Sequence, residues 1–287
     1  MPASAEELVE LLSLEEIDRN LFRGRQPDTT LQRVFGGQVA AQALIAACRT
    51  VDPKYHTHSL HSYFLLPGDT AVPIVYDVEQ LRDGRSFATR RVVARQHGRA
   101  IFFLTASFQV EEQGFDHQDT MPETPGPDEG VALADLLRAQ GQEEGDRFAR
   151  EWSALDVRYV GVSGHGLSDD PARPARARLW IRVDGELSDD PVQHLAAFTY
   201  ASDLTLLGAT LVPHGVTLGS PGLQPASLDH AMWFHRPFRA DGWWLYDQYA
   251  PSAQNARGLA LARVFTQDGT LVSTVAQEGL IRQRDPA

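Results

Sequence analysis

The chain has 287 residues, 43% apolar and 22% charged, with a formal net charge of −12, which suits folded units with their own cores and excludes a disordered chain. So acidic a balance repels phosphodiester backbones and anionic lipid, arguing against nucleic acid or a membrane as partner. A single cysteine, Cys48, excludes an intramolecular disulfide. An acidic start without a hydrophobic run, and no stretch read as long enough to span a membrane, make the cytoplasm the expected location.

Ser4 followed by Glu7 predicts a capping box opening a helix over 5–12, and a strand is expected over 17–23. Residues 36–48 carry no charge and are mostly small, which predicts a helix buried almost all round. Runs rich in Val, Phe and Tyr at 59–65, 74–81, 87–95 and 101–110, separated by turn signals, predict an antiparallel meander around that helix. A Pro-, Gly- and Glu-rich connector over 113–150 follows, with a helix expected at 131–139.

The second half repeats this order. A helix is expected from Pro191 to about Leu211, then strands at 226–234, 243–249, 258–266 and 271–281. The turns correspond, Arg95-Gln96-His97-Gly98 against Thr266-Gln267-Asp268-Gly269, as do Ser59-Leu60-His61 and Ser227-Leu228-Asp229. A repeat this long signals a duplicated unit, so the fold class is α+β, with two antiparallel sheets joined side by side. The units are drawn at 1–112 and 151–287.

Several groups suggest chemistry at first sight. His56, His58 and His61 invite a metal reading, but strand alternation would send His61 to the opposite face from the other two. Gly161-Val162-Ser163-Gly164-His165 departs from the G-x-S-x-G elbow and reads as a loop. Neighbours Asp229 and His230 would face apart on a strand, whereas Ser227 and Asp229 would share a face. Asp203, inside an apolar helical stretch, is costly unless paired or functional. Gln277 interrupts an apolar strand in the same way. Cys48, in an Ala-rich segment, reads as a structural thiol.

Taken together the segments resemble the acyl-CoA thioesterase II family, whose members have a double hot-dog fold. The resemblance runs from Leu21 to Arg282. It is carried by Phe35-Gly-Gly-Gln-Val-Ala-Ala-Gln-Ala43, His58-Ser-Leu-His-Ser-Tyr-Phe64, Ala201-Ser-Asp203, Ser227-Leu-Asp-His-Ala-Met-Trp-Phe-His235, Ala256-Arg-Gly258 and Gln277-Glu-Gly279. It implies hydrolysis of fatty acyl-CoA, with the family's catalytic aspartate, hydroxyl and glutamine falling on Asp203, Ser227 and Gln277. Bacterial members often carry Thr at the hydroxyl position. The chemistry suits these side chains, because thioester hydrolysis needs a positioned water, a base and donors for the oxyanion. No covalent acyl-enzyme and no cofactor or metal is expected.

Gly36, Gly37, Gln38 and His61 complete the candidate set as substrate-binding residues, the glycines letting a carbonyl approach a positive helix end. The first half has Ala106 where Gln277 stands in the second, so one active site per chain is expected. The resemblance also implies a homodimer or homotetramer. A hydratase of the same fold and a silent acyl-CoA sensor are the rival readings.

Overall fold

The computed structural model describes residues 1–161 and 175–283. Helix α1 (Ala5–Leu12) is capped by Ser4, whose Oγ accepts the Glu7 N–H at 3.3 Å, while the Glu7 carboxylate takes the Ala3 N–H at 2.8 Å. The strand expected over 17–23 is a hairpin of β1 (Leu14–Asp18) and β2 (Leu21–Gly24). Asn20, with φ 62°, makes the turn, a left-handed conformation that Asn tolerates better than most residues. Helix α2 (Gly36–Cys48) is buried almost all round, as its uncharged small residues require. Its Gln42 donates to the Leu11 carbonyl at 2.6 Å and accepts from the Tyr76 hydroxyl at 2.6 Å, so the helix surface carries few unpaired polar atoms.

Strands β3 (Tyr55–Phe64), β4 (Ile74–Asp83), β5 (Phe87–Gln96) and β6 (Arg99–Val110) complete the first meander. The expected 131–139 helix divides into β7 (Val131–Ala132) and α3 (Leu133–Gln140), followed by α4 (Gln142–Glu151). Strands β8 (Leu155–Tyr159) and β9 (Arg176–Val183) were not anticipated. Both show alternating burial in part, but outward Asp156, Arg158 and Arg178 masked the apolar rows.

Helix α5 (Pro191–Ser202) is shorter than expected, giving way to tight turns at Leu206–Thr210 and Val212–His214. These turns pack on two strand glycines. A Cβ on Gly258 would meet Thr210 at 2.6 Å, and one on Gly279 would meet Leu207 at 2.4 Å. Contrary to the reading of no membrane-length stretch, residues Pro191–His214 are long and apolar enough to span one by composition, but they lie mostly buried inside the fold.

The remaining strands are β10 (Leu223–Ser227), β11 (Asp229–Phe234), β12 (Trp244–Gln254), β13 (Arg257–Thr266) and β14 (Leu271–Gln283). The described strands form one 14-stranded sheet in the order β1-β2-β4-β5-β6-β3-β11-β14-β13-β12-β9-β8-β7, with β10 paired to β14. The two halves meet at β3 and β11, where His61 pairs with Ala231. Thr57 pairs with Phe108 in the first half as Ser227 pairs with Gly279 in the second, so His61 and Ala231 hold matching places in the repeat. Equivalent residues therefore face one another, and a pseudo-twofold axis runs through that pair. Helices α2 and α5 pack together under the sheet, antiparallel, so the start of each lies beside the end of the other.

Candidate active site

Asp203 follows the last residue of α5 and caps its C-terminus. A carboxylate there opposes the negative pole of its own helix. The compensation comes from the first half, because the start of α2 lies against it. The Gly37 N–H bonds to the Asp203 carboxylate. A Cβ on Gly36 would stand 2.6 Å from Asp203 Oδ2 and 2.7 Å from the Phe64 ring. One on Gly37 would stand 2.2 Å from the Tyr200 carbonyl oxygen. Only glycine lets the two helix ends come this close.

Ser227 and Gln277 reach the same carboxylate from neighbouring strands. The Ser227 hydroxyl donates to Asp203 Oδ1 at 3.2 Å, and Gln277 Nε2 donates to the same oxygen. Gln277 is fully buried, while Asp203, Ser227, Gly36 and Phe64 are partly exposed, so the cluster meets solvent on one side. Gln277 Oε1 has no partner among the described residues. Burial raises the Asp203 pKa, hydrogen bonds from Gln277, Ser227 and Gly37 pull it back, and the result is about 6.

The other sequence candidates fare unequally. Gln38 is 1% exposed and its amide donates to the Arg25 carbonyl at 3.2 Å and to Gln26 Oε1 at 3.1 Å. Its side chain anchors the loop before α2, so only its backbone belongs to the helix end at the site. His61 lies outside the site. A register shift between Thr57 and Ser59 resets the alternation, so His56 pairs with Gln109 and His61 with Thr105, on one outer face. His61 is exposed and stacks edge-on against Trp233, with the sheet between it and Asp203. The expected separation of His61 from His56 therefore fails because of the bulge. Among the described residues no cluster of three His, Cys, Asp or Glu is arranged to hold a metal.

Asp229 and His230 do face apart, but Ser227 and Asp229 do not share a face. The strand breaks at Leu228, and Asp229 pairs with exposed Tyr63 while accepting the Glu278 N–H at 2.6 Å. His230 points inward, fully buried, with Nε2 2.8 Å from Ser202 Oγ, and burial pushes its pKa down to about 4. The Ser163–His165 motif lies outside the described residues. Burial pushes the Cys48 thiol up to about 11, the opposite of an activated nucleophile. Sequence reasoning assigned no role to Phe64, whose ring borders Gly36; only the sheet register brings it there.

A duplicated sheet wrapped on two central helices is a double hot-dog fold, here with a carboxylate, a hydroxyl and a carboxamide converging at a helix start. A family model described as acyl-CoA thioesterase matches residues 167–280, and one described as acyl-CoA thioesterase N-terminal domain matches residues 25–109. The chain is 41% identical to acyl-CoA thioesterase 2 of Haemophilus influenzae, over 96% of each chain. It is 38% identical to human acyl-coenzyme A thioesterase 8, over 95% of this chain and 88% of that one. The crystal structure of acyl-CoA thioesterase II TesB2 from Mycobacterium marinum superposes with a TM-score of 0.83 at 47% identity, covering 96% of this chain and 98% of that one. The protein belongs to the acyl-CoA thioesterase family.

Proposed function

We propose that the protein hydrolyses fatty acyl-CoA to free fatty acid and coenzyme A, using a water held by Asp203, Ser227 and Gln277. The observation that carries this reading is the meeting of all three side chains, from α5, β10 and β14, on one carboxylate oxygen. With a pKa of about 6, Asp203 is ionised at neutral pH yet basic enough to accept a proton from the attacking water. Ser227 spends its proton on Asp203, which leaves its oxygen lone pairs for a water O–H. Gln277 Oε1, buried without a protein partner, offers a further acceptor.

The positive end of α2 polarises the thioester carbonyl and stabilises the tetrahedral oxyanion. Gly37 N–H is already given to Asp203, so the neighbouring N–H groups of the same turn, from Gly36 and Gln38, serve the carbonyl. Attack forms the C–O bond, the proton passes to Asp203, and collapse expels the coenzyme A thiolate, which takes up a proton. No acyl-enzyme is formed.

Asp203→Asn keeps the shape of the site and removes the base. Turnover of hexadecanoyl-CoA, followed by release of free thiol, should fall about 10²–10⁴-fold with binding retained. Unchanged turnover removes Asp203 from the mechanism. The rival hydratase reading draws no support from Asp229 and His230, which lie on opposite faces of the sheet, nor from Asp69 and His97, which pair at 3.1 Å on an exposed turn. We further propose a cytoplasmic location and a homodimer or homotetramer.

A further inference from the structure

The pseudo-twofold axis that builds the Asp203 site generates a second position, at the other ends of α2 and α5. Cys48 is the twelfth residue beyond the first of α2, as Asp203 is beyond the first of α5. Thr57 pairs with Phe108 as Ser227 pairs with Gly279. The hydroxyl contact survives the duplication: Thr57 Oγ1 lies 3.4 Å from Cys48 Sγ, where Ser227 lies 3.2 Å from Asp203. The catalytic features do not survive. Cys48 replaces the carboxylate. Ala106, eight residues past Gly98, stands where Gln277 follows Gly269. At the start of α5, Pro191 has no N–H, and the Val192 N–H is taken by the Asp190 side chain at 2.9 Å.

What remains is a cavity of about 830 Å³, within the range of small-molecule sites. Its apolar wall includes Phe108, Leu195, Phe234, Pro237 and Phe238, with Cys48 and Thr57 also lining it. The helix rise puts this position about 18 Å from the start of α2. At the mouth stand His56, His58 and Arg236, and also the acids Asp52, Glu111, Glu112 and Asp190. Lys54 pairs with Asp52 at 3.6 Å, and Arg236 is held by Asp116, so the mouth keeps an acidic balance. That balance opposes the several phosphate charges of coenzyme A more strongly than the single charge of a carboxylate.

The geometry points to a second, non-hydrolysing site between the two halves that takes the alkyl chain of a long-chain fatty acid. The choice of ligand rests on the reading of the Asp203 site as an acyl-thioester site, of which this is the degenerate copy. Cys48 is the only cysteine and is partly exposed, and it lines both this cavity and a smaller neighbouring one beside Leu12 and Ile45, so the cavity-filling variant at Leu195 assigns any protection to the larger one.

Alkylation of Cys48 by N-ethylmaleimide tests the proposal in the full wild-type chain. With hexadecanoate at ten times its dissociation constant, labelling should slow about tenfold and saturably, and S-hexadecyl-CoA should protect less. An unchanged rate with hexadecanoate overturns the site, and protection by S-hexadecyl-CoA alone overturns the fatty-acid assignment. Leu195→Trp fills the cavity and should abolish protection while leaving acyl-CoA hydrolysis intact. Val192→Trp makes the same test from another part of the wall should the first variant not fold. Hydrolysis is measured separately: hydrolysis without protection refutes this proposal alone, and protection without hydrolysis refutes the thioesterase reading alone.

Discussion

In the proposed mechanism Asp203 must be ionised to act, and burial holds its pKa at about 6, so this carboxylate should set the pH behaviour of the site. The ratio kcat/KM should fall as pH drops below about 6, as Asp203 gains a proton, approaching a tenfold loss per pH unit. Ser227→Ala removes one of the two side-chain donors to Asp203 and should lower kcat by about 10²-fold. Stability carries a related signature. The rise from 3.8 to about 6 means that ionising Asp203 costs the fold about 3 kcal/mol, lost as pH climbs through that interval, because the unfolded chain ionises first.

His230 works in the opposite direction. Its fall from 6.5 to about 4 withdraws a similar amount as pH drops through that interval, because the unfolded chain gains the proton first. In the wild type the pH dependences of the two nearly cancel between about pH 4 and 6.5. Asp203→Asn removes one of them, so the variant should exceed wild-type stability by about 3 kcal/mol at neutral pH, with the gap closing near pH 4. Urea unfolding of both proteins across that range checks the sign.

At the scale of elements, the helix ends do the positioning. Gly36→Ala would drive a methyl group into the Asp203 carboxylate and the Phe64 ring, and a displacement of that order costs about 10²-fold in kcat. Steady-state kinetics on the folded variant separates this from instability. Gly37→Ala meets a backbone carbonyl instead, which cannot swing aside, so it should lose stability as well as activity.

The loop before α2 is held from elsewhere. Buried Glu151 accepts the Thr29 hydroxyl at 2.9 Å and the Thr30 N–H at 3.0 Å. Although burial raises its pKa, these bonds, the Thr30 hydroxyl and the terminal ammonium pull it down to about 2. Glu151→Gln should cost about 1–3 kcal/mol of stability, read from thermal or urea unfolding. The sequence placed Asp203 in mid-helix; it is instead a helix end, because α5 stops where its continuation must fold down onto Gly258 and Gly279. Periodicity is blind to that event, since tight turns of apolar residues carry the same pattern as a helix.

For the whole molecule the seam between β3 and β11 is decisive, because it carries the start of α2 to the end of α5. Ala231 pairs with His61 on one side and Ala276 on the other. Ala231→Pro should cost about 3 kcal/mol or more and abolish hydrolysis together with folding, as measured by circular dichroism and thiol release.

The sequence by itself determined the duplication, the buried helix over 36–48 and most of the long strands, and it singled out Asp203, Ser227 and Gln277 as candidates, because these are written in local pattern and in motifs. Only the tertiary structure decided which groups meet. The bulge beside His58 turned His61 outward, the break at Leu228 separated Asp229 from Ser227, and the antiparallel packing of α2 against α5 brought Gly37 to Asp203. Faces and meetings of this kind depend on one-residue shifts in pairing and on helix ends far apart in the chain, and neither leaves a mark in composition or period.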